Sequence, residues 1–206
     1  MIDEPPPHGH FEVAARLGYA IPLGDLTRNV ELGQSTSGQV PLWIEGGYRF
    51  ASGFVLGAYL SYGFLGGKDA SRVCPASWTS CHGTDVRLGV QMMVHLRPKK
   101  RLDPWFGIGV GREWLSYHAT LGQPAGDVRD TIAFTGWELL NLQLGLDFVV
   151  TPNLALGPFV TLTISAFDEV TTERTGAATS PRTTQSLGSP FHGWTFLGVR
   201  GTFGLL

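Results

Sequence analysis

Hydrophobic and polar residues alternate with a period of two over most of the chain. A period of two places the two sets on opposite faces of a β-strand, whereas a helix repeats about every 3.6 residues. The first run sets Phe11, Val13, Ala15, Leu17 and Tyr19 against Glu12, Ala14, Arg16 and Gly18. Seven further runs lie at residues 40–50, 54–64, 86–96, 104–113, 140–148, 156–164 and 194–205. The pattern therefore predicts eight strands and an all-β fold.

The connections between these runs alternate in length. Short ones lie at residues 51–53, 97–103 and 150–153, and long polar ones at residues 21–39, 66–83, 118–133 and 168–190. This alternation, with an even strand count, is typical of an up-and-down membrane barrel. We therefore predict an eight-stranded antiparallel transmembrane β-barrel at residues 10–206, with short periplasmic turns and four long extracellular loops. Residues 1–9 are expected to form a disordered lead.

The composition of the polar faces indicates which side of the barrel meets lipid. These faces mix glycine with both signs of charge and hold few of the lysines that a water-exposed face carries. In a membrane barrel such residues line a narrow lumen, where arginine and carboxylate side chains pair across strands. The predicted luminal charge network is Glu12, Arg16, Glu45, Arg49, Arg87, Glu113, Asp147 and Arg200. The alternative is a soluble barrel with a ligand in an apolar core.

Three glycines recur at every second position in the segment PWFGIGVGRE, from Pro104 to Glu113. A dinucleotide-binding loop would instead need the spacing G-x-G-x-x-G between a strand and a helix. Gly107, Gly109 and Gly111 are therefore expected on the inner face of a strand. We expect large side chains from across the barrel to cover them.

Charge and cysteine content exclude some partners. The net charge is −2, which gives no global field for nucleic acid, and the basic run Arg97–Arg101 is interpreted as a solvated turn. No apolar run reaches the roughly 18 residues of a membrane helix. Cys74 and Cys81 are close enough in sequence for a loop disulfide, which implies an oxidising compartment. His8 and His10 could chelate a metal weakly, but their Pro-rich lead is typical of disorder, so no metal site and no cofactor are predicted.

Three segments carry a resemblance to a known family. They are GLDFVVTPNLALGPFV (Gly145 to Val160), PWFGIGVG, and the closing FLGVRGTFGLL, which is similar to a C-terminal assembly signal. In them the chain resembles the small eight-stranded outer-membrane β-barrels of Gram-negative bacteria, of the OmpA/OmpX and OmpW-like kind. The resemblance implies a bacterial outer-membrane location, a cleaved signal peptide and insertion by the barrel-assembly machinery. Outer-membrane lipid and lipopolysaccharide are the implied partners of a monomer.

The expected function is that of a non-enzymatic scaffold whose extracellular loops serve surface interaction or envelope integrity, because an eight-stranded barrel is filled by its own side chains. One alternative is a narrow channel in which Glu45, Arg49, Arg87, Glu113 and Arg200 act as gate charges. Another is a lipid-modifying enzyme built on Ser116 and His118 with Asp127 or Asp130.

Overall fold

The computed structural model describes residues 9–27, 30–67, 79–98, 100–122, 126–177, 179–188 and 190–205. Eight long strands are joined in it by short turns on one side and longer connections on the other. In chain order the elements are β1 (His10–Thr27), β2 (Val30–Glu31), α1 (Leu32–Ser35), β3 (Thr36–Arg49), β4 (Phe54–Gly67), β5 (Ser80–His95), β6 (Leu102–Leu121), β7 (Val128–Thr151), β8 (Leu154–Gly176), β9 (Ser180–Ser186) and β10 (Phe191–Leu205).

The long strands form a closed antiparallel ring in the order β1-β3-β4-β5-β6-β7-β8-β10. The first and last strands close it, with pairs that run from Phe11↔Leu205 to Gly24↔His192. On its other side β10 pairs with β8. Closure satisfies the backbone hydrogen bonds of every wall strand without leaving an edge, which a structure in hydrocarbon requires. The predicted eight-stranded fold is confirmed.

The apolar face of each strand points outward and the polar face points inward. Val90 and Leu144, in mid-strand, are each 58% exposed, whereas Arg16 and Asn141 are buried. We call the outward apolar row the apolar belt; its members include Leu17, Ile44, Leu60, Val90, Ile108, Leu144, Ile164 and Val199. Such a surface is suited to lipid and not to water. This orientation is opposite to that of the soluble-barrel alternative.

Aromatic side chains lie toward both ends of the apolar belt. At the short-turn end Phe11, Tyr48, Phe50 and Phe54 form a chain of ring contacts with centroid distances of 5.2, 5.0 and 5.7 Å. At the other end Trp114, Trp137 and Phe191 are exposed. Amphipathic and aromatic rings at these levels are typical of the two membrane interfaces.

The strands β7 and β8 are longer than the alternation predicts, at 24 and 23 residues against 14 for β3 and β4. The expected loops at residues 118–133 and 168–190 are therefore partly strand, and β9 adds to β8 beyond the barrel wall. Threonine and serine occur on both faces of these extensions, so no alternation of apolar and polar residues marks them. The wall consequently rises higher on the β7–β8 side.

Some sequence-based predictions concern residues outside the described ranges. His8 and Cys74 are among them, so the disulfide between Cys74 and Cys81 and the disordered lead stay predictions. The helix α1 has four residues. Nowhere in the described ranges does a helix reach the length and hydropathy of a membrane span.

Candidate functional site in the barrel interior

Glu45 is the centre of a buried charge network in the half of the barrel nearer the short turns, which we call the lower network. Its carboxylate accepts a hydrogen bond from Arg16 at 2.5 Å, from Arg200 at 2.5 Å and from Gln91 at 2.7 Å. Arg16 also donates to the Gln143 side-chain oxygen at 2.7 Å. These residues come from several different strands, and one carboxylate therefore holds several parts of the wall together.

The lower network extends toward the short turns. Arg200 donates to Asp147 at 2.9 Å, and the Trp105 indole N–H donates to the other oxygen of that carboxylate at 3.0 Å. Nearer the rim Arg49 donates to Glu12 at 2.5 Å. Arg49 also lies 3.7 Å from an oxygen of Asp103, and the same oxygen lies 2.8 Å from His95 Nδ1. The lower network thus combines the arginines 16, 49 and 200 with the carboxylates 12, 45, 103 and 147.

Arg87 is the centre of a second cluster nearer the outer end, which we call the upper network. Its guanidinium lies 3.0 Å from Asp85, 2.8 Å from Glu113 and 3.0 Å from Glu138. His192 Nε2 lies 3.0 Å from the second oxygen of Glu113. The upper network therefore gathers three carboxylates around one arginine.

Aromatic rings separate the two networks. Trp43 packs against Tyr59 at a centroid distance of 4.9 Å and edge-to-face against Phe196 at 5.7 Å. The Arg16 guanidinium lies 5.0 Å from the Trp43 ring, and the Arg87 guanidinium lies 5.1 Å from the Phe196 ring. The ring faces stabilise both buried cations. The Tyr59 hydroxyl donates to Glu138.

An apolar plug fills the lumen above the upper network. Its wall residues include Leu115, Phe134, Phe167 and Trp194, all at most 3% exposed. The end of β1 lies over this cluster together with β2 and α1, and Leu26, Val30 and Leu32 pack into it. The burial of these apolar side chains explains why β2 and α1 lie at the barrel mouth instead of in solvent.

Little free volume remains within the lower network. A cavity lined by Glu12, Glu45, Gln91 and Met93 has a volume of about 10 Å³. That is close to the minimum volume for one water molecule. The interior at this level is packed by side chains, as expected for a barrel of eight strands.

The three glycines of β6 lie on the inner face, as expected, and two side chains cover them. A Cβ added at Gly107 would meet Met93 at 2.7 Å, and one at Gly111 would meet the Tyr59 hydroxyl at 2.8 Å. Met93 and Tyr59 belong to the nearby strands β5 and β4. The expectation of side chains from across the barrel was therefore wrong: the cover comes from the same side of the wall.

We expect Gly111→Ala to destabilise the barrel by about 1–3 kcal/mol, because the new methyl group would also lie 2.6 Å from the Leu88 carbonyl oxygen and force the sheet to shift. Gly46→Ala is the matched control, since its nearest atoms are 3.9 Å away. Urea unfolding of both variants in lipid vesicles measures the difference. Equal stabilities would contradict the close approach at Gly111.

The structure places all eight residues of the predicted charge network in the interior, divided between the two networks. Arg87 and Glu113 belong to the upper network and the other six to the lower one. Sequence reasoning missed Asp85, Asp103, Glu138 and His192. The alternation could have found Asp85 and His192 if their runs had been extended by one step toward the outer end.

Ser116 and His118 lie on the outward-facing row of β6, at the outer end. His118 Nδ1 lies 3.2 Å from the Thr131 hydroxyl, and both oxygens of Asp130 accept hydrogen bonds from Arg174 at 2.6 Å. Burial and the neighbouring His82 lower the pKa of His118. Within the described ranges, Ser116, His118 and Asp130 are not linked in the manner of a nucleophile, a base and an orienting acid.

The closed ring, the outward apolar belt and the filled charged interior together define a small β-barrel of the outer-membrane class. Solved structures share this fold at low identity. A major outer membrane protein from Thermus thermophilus is 17% identical with a TM-score of 0.60, covering 95% of this chain and 99% of that one. Neisserial surface protein A is 14% identical with a TM-score of 0.53, covering 95% and 97%. The outer membrane protein AlkL, solved in DMPC bilayers, is 15% identical with a TM-score of 0.51, covering 96% and 92%.

No protein-family model matches the chain, and no curated protein is significantly similar to it. These three structural matches are all below 20% identity and establish the fold.

Proposed function

We propose that this protein is a non-enzymatic outer-membrane scaffold that displays its outer hairpins and loops for surface interaction or envelope integrity. The observation that carries the proposal is the filled interior, in which two charge networks and the apolar plug occupy the lumen. A barrel that is closed in this way acts through the surface that it presents. Outer-membrane lipid and lipopolysaccharide are the proposed surroundings of a monomer that the barrel-assembly machinery inserts.

Among the described residues, the extension of β7, β8 and β9 forms the largest part of the display surface. Every residue of β9 is exposed, and its Thr184 hydroxyl lies 3.0 Å from that of Thr171 on β8. A bidentate ion pair between Arg174 and Asp130 joins β8 to β7. Cross-strand pairs of this kind hold a hairpin in shape above the membrane. Such a hairpin is a suitable rigid platform for contacts with other molecules.

The narrow-channel alternative requires the five gate charges to face a water path. Glu45, Arg49, Arg87, Glu113 and Arg200 are instead each held in ion pairs of 2.5–2.8 Å. Passage of an ion would require several of these pairs to open together and the apolar plug to move. This arrangement supports the scaffold over the channel.

We expect no steady openings when the purified protein is reconstituted in planar lipid bilayers, because side chains fill the lumen. A general porin inserted in the same bilayers is the positive control. Heat-dependent electrophoretic mobility, measured on unboiled and boiled samples, checks that the barrel is folded. Reproducible single-channel steps that change in Arg200→Ala would contradict the scaffold proposal and favour the channel.

A further inference from the structure

The turn between β5 and β6 concentrates positive charge at the end of the barrel where the short turns lie. Its sequence, Arg97-Pro98-Lys99-Lys100-Arg101, has four basic residues, whereas the other two short turns, FASG at 50–53 and TPN at 151–153, have no charged residue. Arg97, Lys100 and Arg101 are exposed. Among the described residues none of these three has an ion-pair partner. A protein of net charge −2 thus presents an uncompensated basic lobe at one membrane face.

Hydrogen bonds from both sides hold the described backbone of the turn. The Arg97 backbone N–H donates to the buried Asp103 carboxylate at 2.9 Å, and the Lys100 N–H donates to the Arg97 carbonyl at 2.9 Å. On the far side the Val149 N–H donates to the Arg101 carbonyl at 2.9 Å. These contacts hold the backbone at residues 97, 100 and 101 in place. A defined backbone at these positions lowers part of the entropic cost of binding on this turn.

An open groove of about 510 Å³ lies directly beside these cations. Leu96, Pro98 and Leu102 form its apolar walls, and Arg97 and Lys100 lie at its margin. Leu96 is 58% and Leu102 is 40% exposed. Both leucines flank the turn at the end of the apolar belt, so the groove is continuous with the lipid-facing surface. Its volume falls in the range of small-molecule sites.

We propose that this groove binds an anionic phospholipid of the inner leaflet. The phosphate of the head group is held by Arg97 and Lys100, and the start of an acyl chain lies against Leu96 and Leu102. Phosphate needs cations with free donors, and an acyl chain needs exposed apolar surface. The turn offers both within one site. The inference rests on the membrane placement in the proposed function, because it assigns the short turns to the periplasmic face.

Native mass spectrometry of the folded protein in neutral detergent tests the site. Dimyristoyl phosphatidylglycerol is titrated against dimyristoyl phosphatidylcholine, which has the same chains and no net charge. The test variant is Arg97→Gln/Lys100→Gln. The matched control is Arg129→Gln/Arg182→Gln, which removes two exposed charges from β7 and β9.

We expect the test variant to bind phosphatidylglycerol about thirtyfold more weakly than the wild type, with phosphatidylcholine binding unchanged. The control variant should retain wild-type binding. Equal affinity of the wild type for the two lipids, or equal losses in both variants, would overturn the proposal. Inorganic phosphate is the third probe: if it competes with phosphatidylglycerol at equal concentration, the groove contributes nothing and the lipid assignment is wrong.

Failure of this inference is distinguishable from failure of the proposed function. Heat-dependent electrophoretic mobility of every variant reports the folded barrel independently of lipid binding. Single-channel steps would refute the scaffold and leave the lipid site intact. Loss of lipid preference in a barrel that is folded and silent would refute the lipid site alone.

Discussion

Arg87→Ala should destabilise the barrel by at least about 5 kcal/mol, because it removes the guanidinium shared by three buried carboxylates. Asp85, Glu113 and Glu138 would then face one another without that cation. Protonation at low pH removes the negative charges of these carboxylates. This stabilises the folded state, in which the carboxylates are buried and unpaired, more than the unfolded state. The variant should therefore unfold less readily at pH 4 than at pH 8, measured by urea unfolding in lipid vesicles.

Arg112→Ala is the matched control for Arg87. Arg112 lies on the outer surface, where it pairs with Asp168 at 3.0 Å and stacks 4.5 Å from the Trp137 ring. Its side chain and that of Asp168 are 29% and 39% exposed at the interface level marked by Trp137, so the expected cost is only about 1 kcal/mol. If Arg87→Ala cost no more than Arg112→Ala, the upper network would be hydrated and not buried.

Glu45→Ala should cost about 4 kcal/mol, because Arg16 and Arg200 would lose the carboxylate that lies between them. The effect is smaller than that of Arg87→Ala because of the numbers of positive and negative groups that remain in each network. The lower network has three arginines and four carboxylates, so the change leaves it with equal numbers of both signs, whereas the upper network loses its arginine. Acid should not rescue Glu45→Ala, since arginine stays protonated. Urea unfolding at pH 4 and pH 8 tests this contrast.

Glu45→Gln and Glu173→Ala are the two controls for this experiment. The amide introduced by Glu45→Gln keeps one acceptor oxygen, so this variant should lose about half as much free energy of unfolding as Glu45→Ala. Glu173 is exposed on β8, and its replacement should change stability by less than about 0.5 kcal/mol. A cost of Glu45→Ala as small as that of Glu173→Ala would show that the lower network contributes little to stability.

The ring order and the orientation of the two faces could be predicted because a membrane barrel repeats one simple rule along each strand. Lipid selects apolar residues at every second position, and the lumen accepts the rest. That rule places Arg16, Glu45 and Arg200 inside without any knowledge of their partners. The alternating lengths of the connections separately indicate the end of the barrel at which each connection lies.

The same rule fails where a strand has an irregular register. The pairing of β7 with β8 shifts between Glu138 and Leu140, so Glu138 lies inside although the inward residues Asn141 and Gln143 have the opposite parity. The adjacent leucines Leu139 and Leu140 break the alternation at this bulge, but the run recognised in the sequence begins only at Leu140 and so excludes Glu138. Asp103 was missed for another reason, since it adjoins Pro104 and was interpreted as part of a turn. Glu138 pairs with Arg87 of β5 and Asp103 lies near Arg49 of β3, and sequence spacing does not report such contacts.

The closing pair of strands sets the order in which this barrel can form. Phe11 and Leu205 are paired although nearly the whole chain separates them, and all pairs between β1 and β10 share this long separation. Contacts of such long range close late, because the chain between them must be ordered first. Until β10 docks, β1 and β8 each present a bare edge that can pair with another chain. Docking of β10 thus completes the barrel, and it separates an aggregation-prone intermediate from the inserted product.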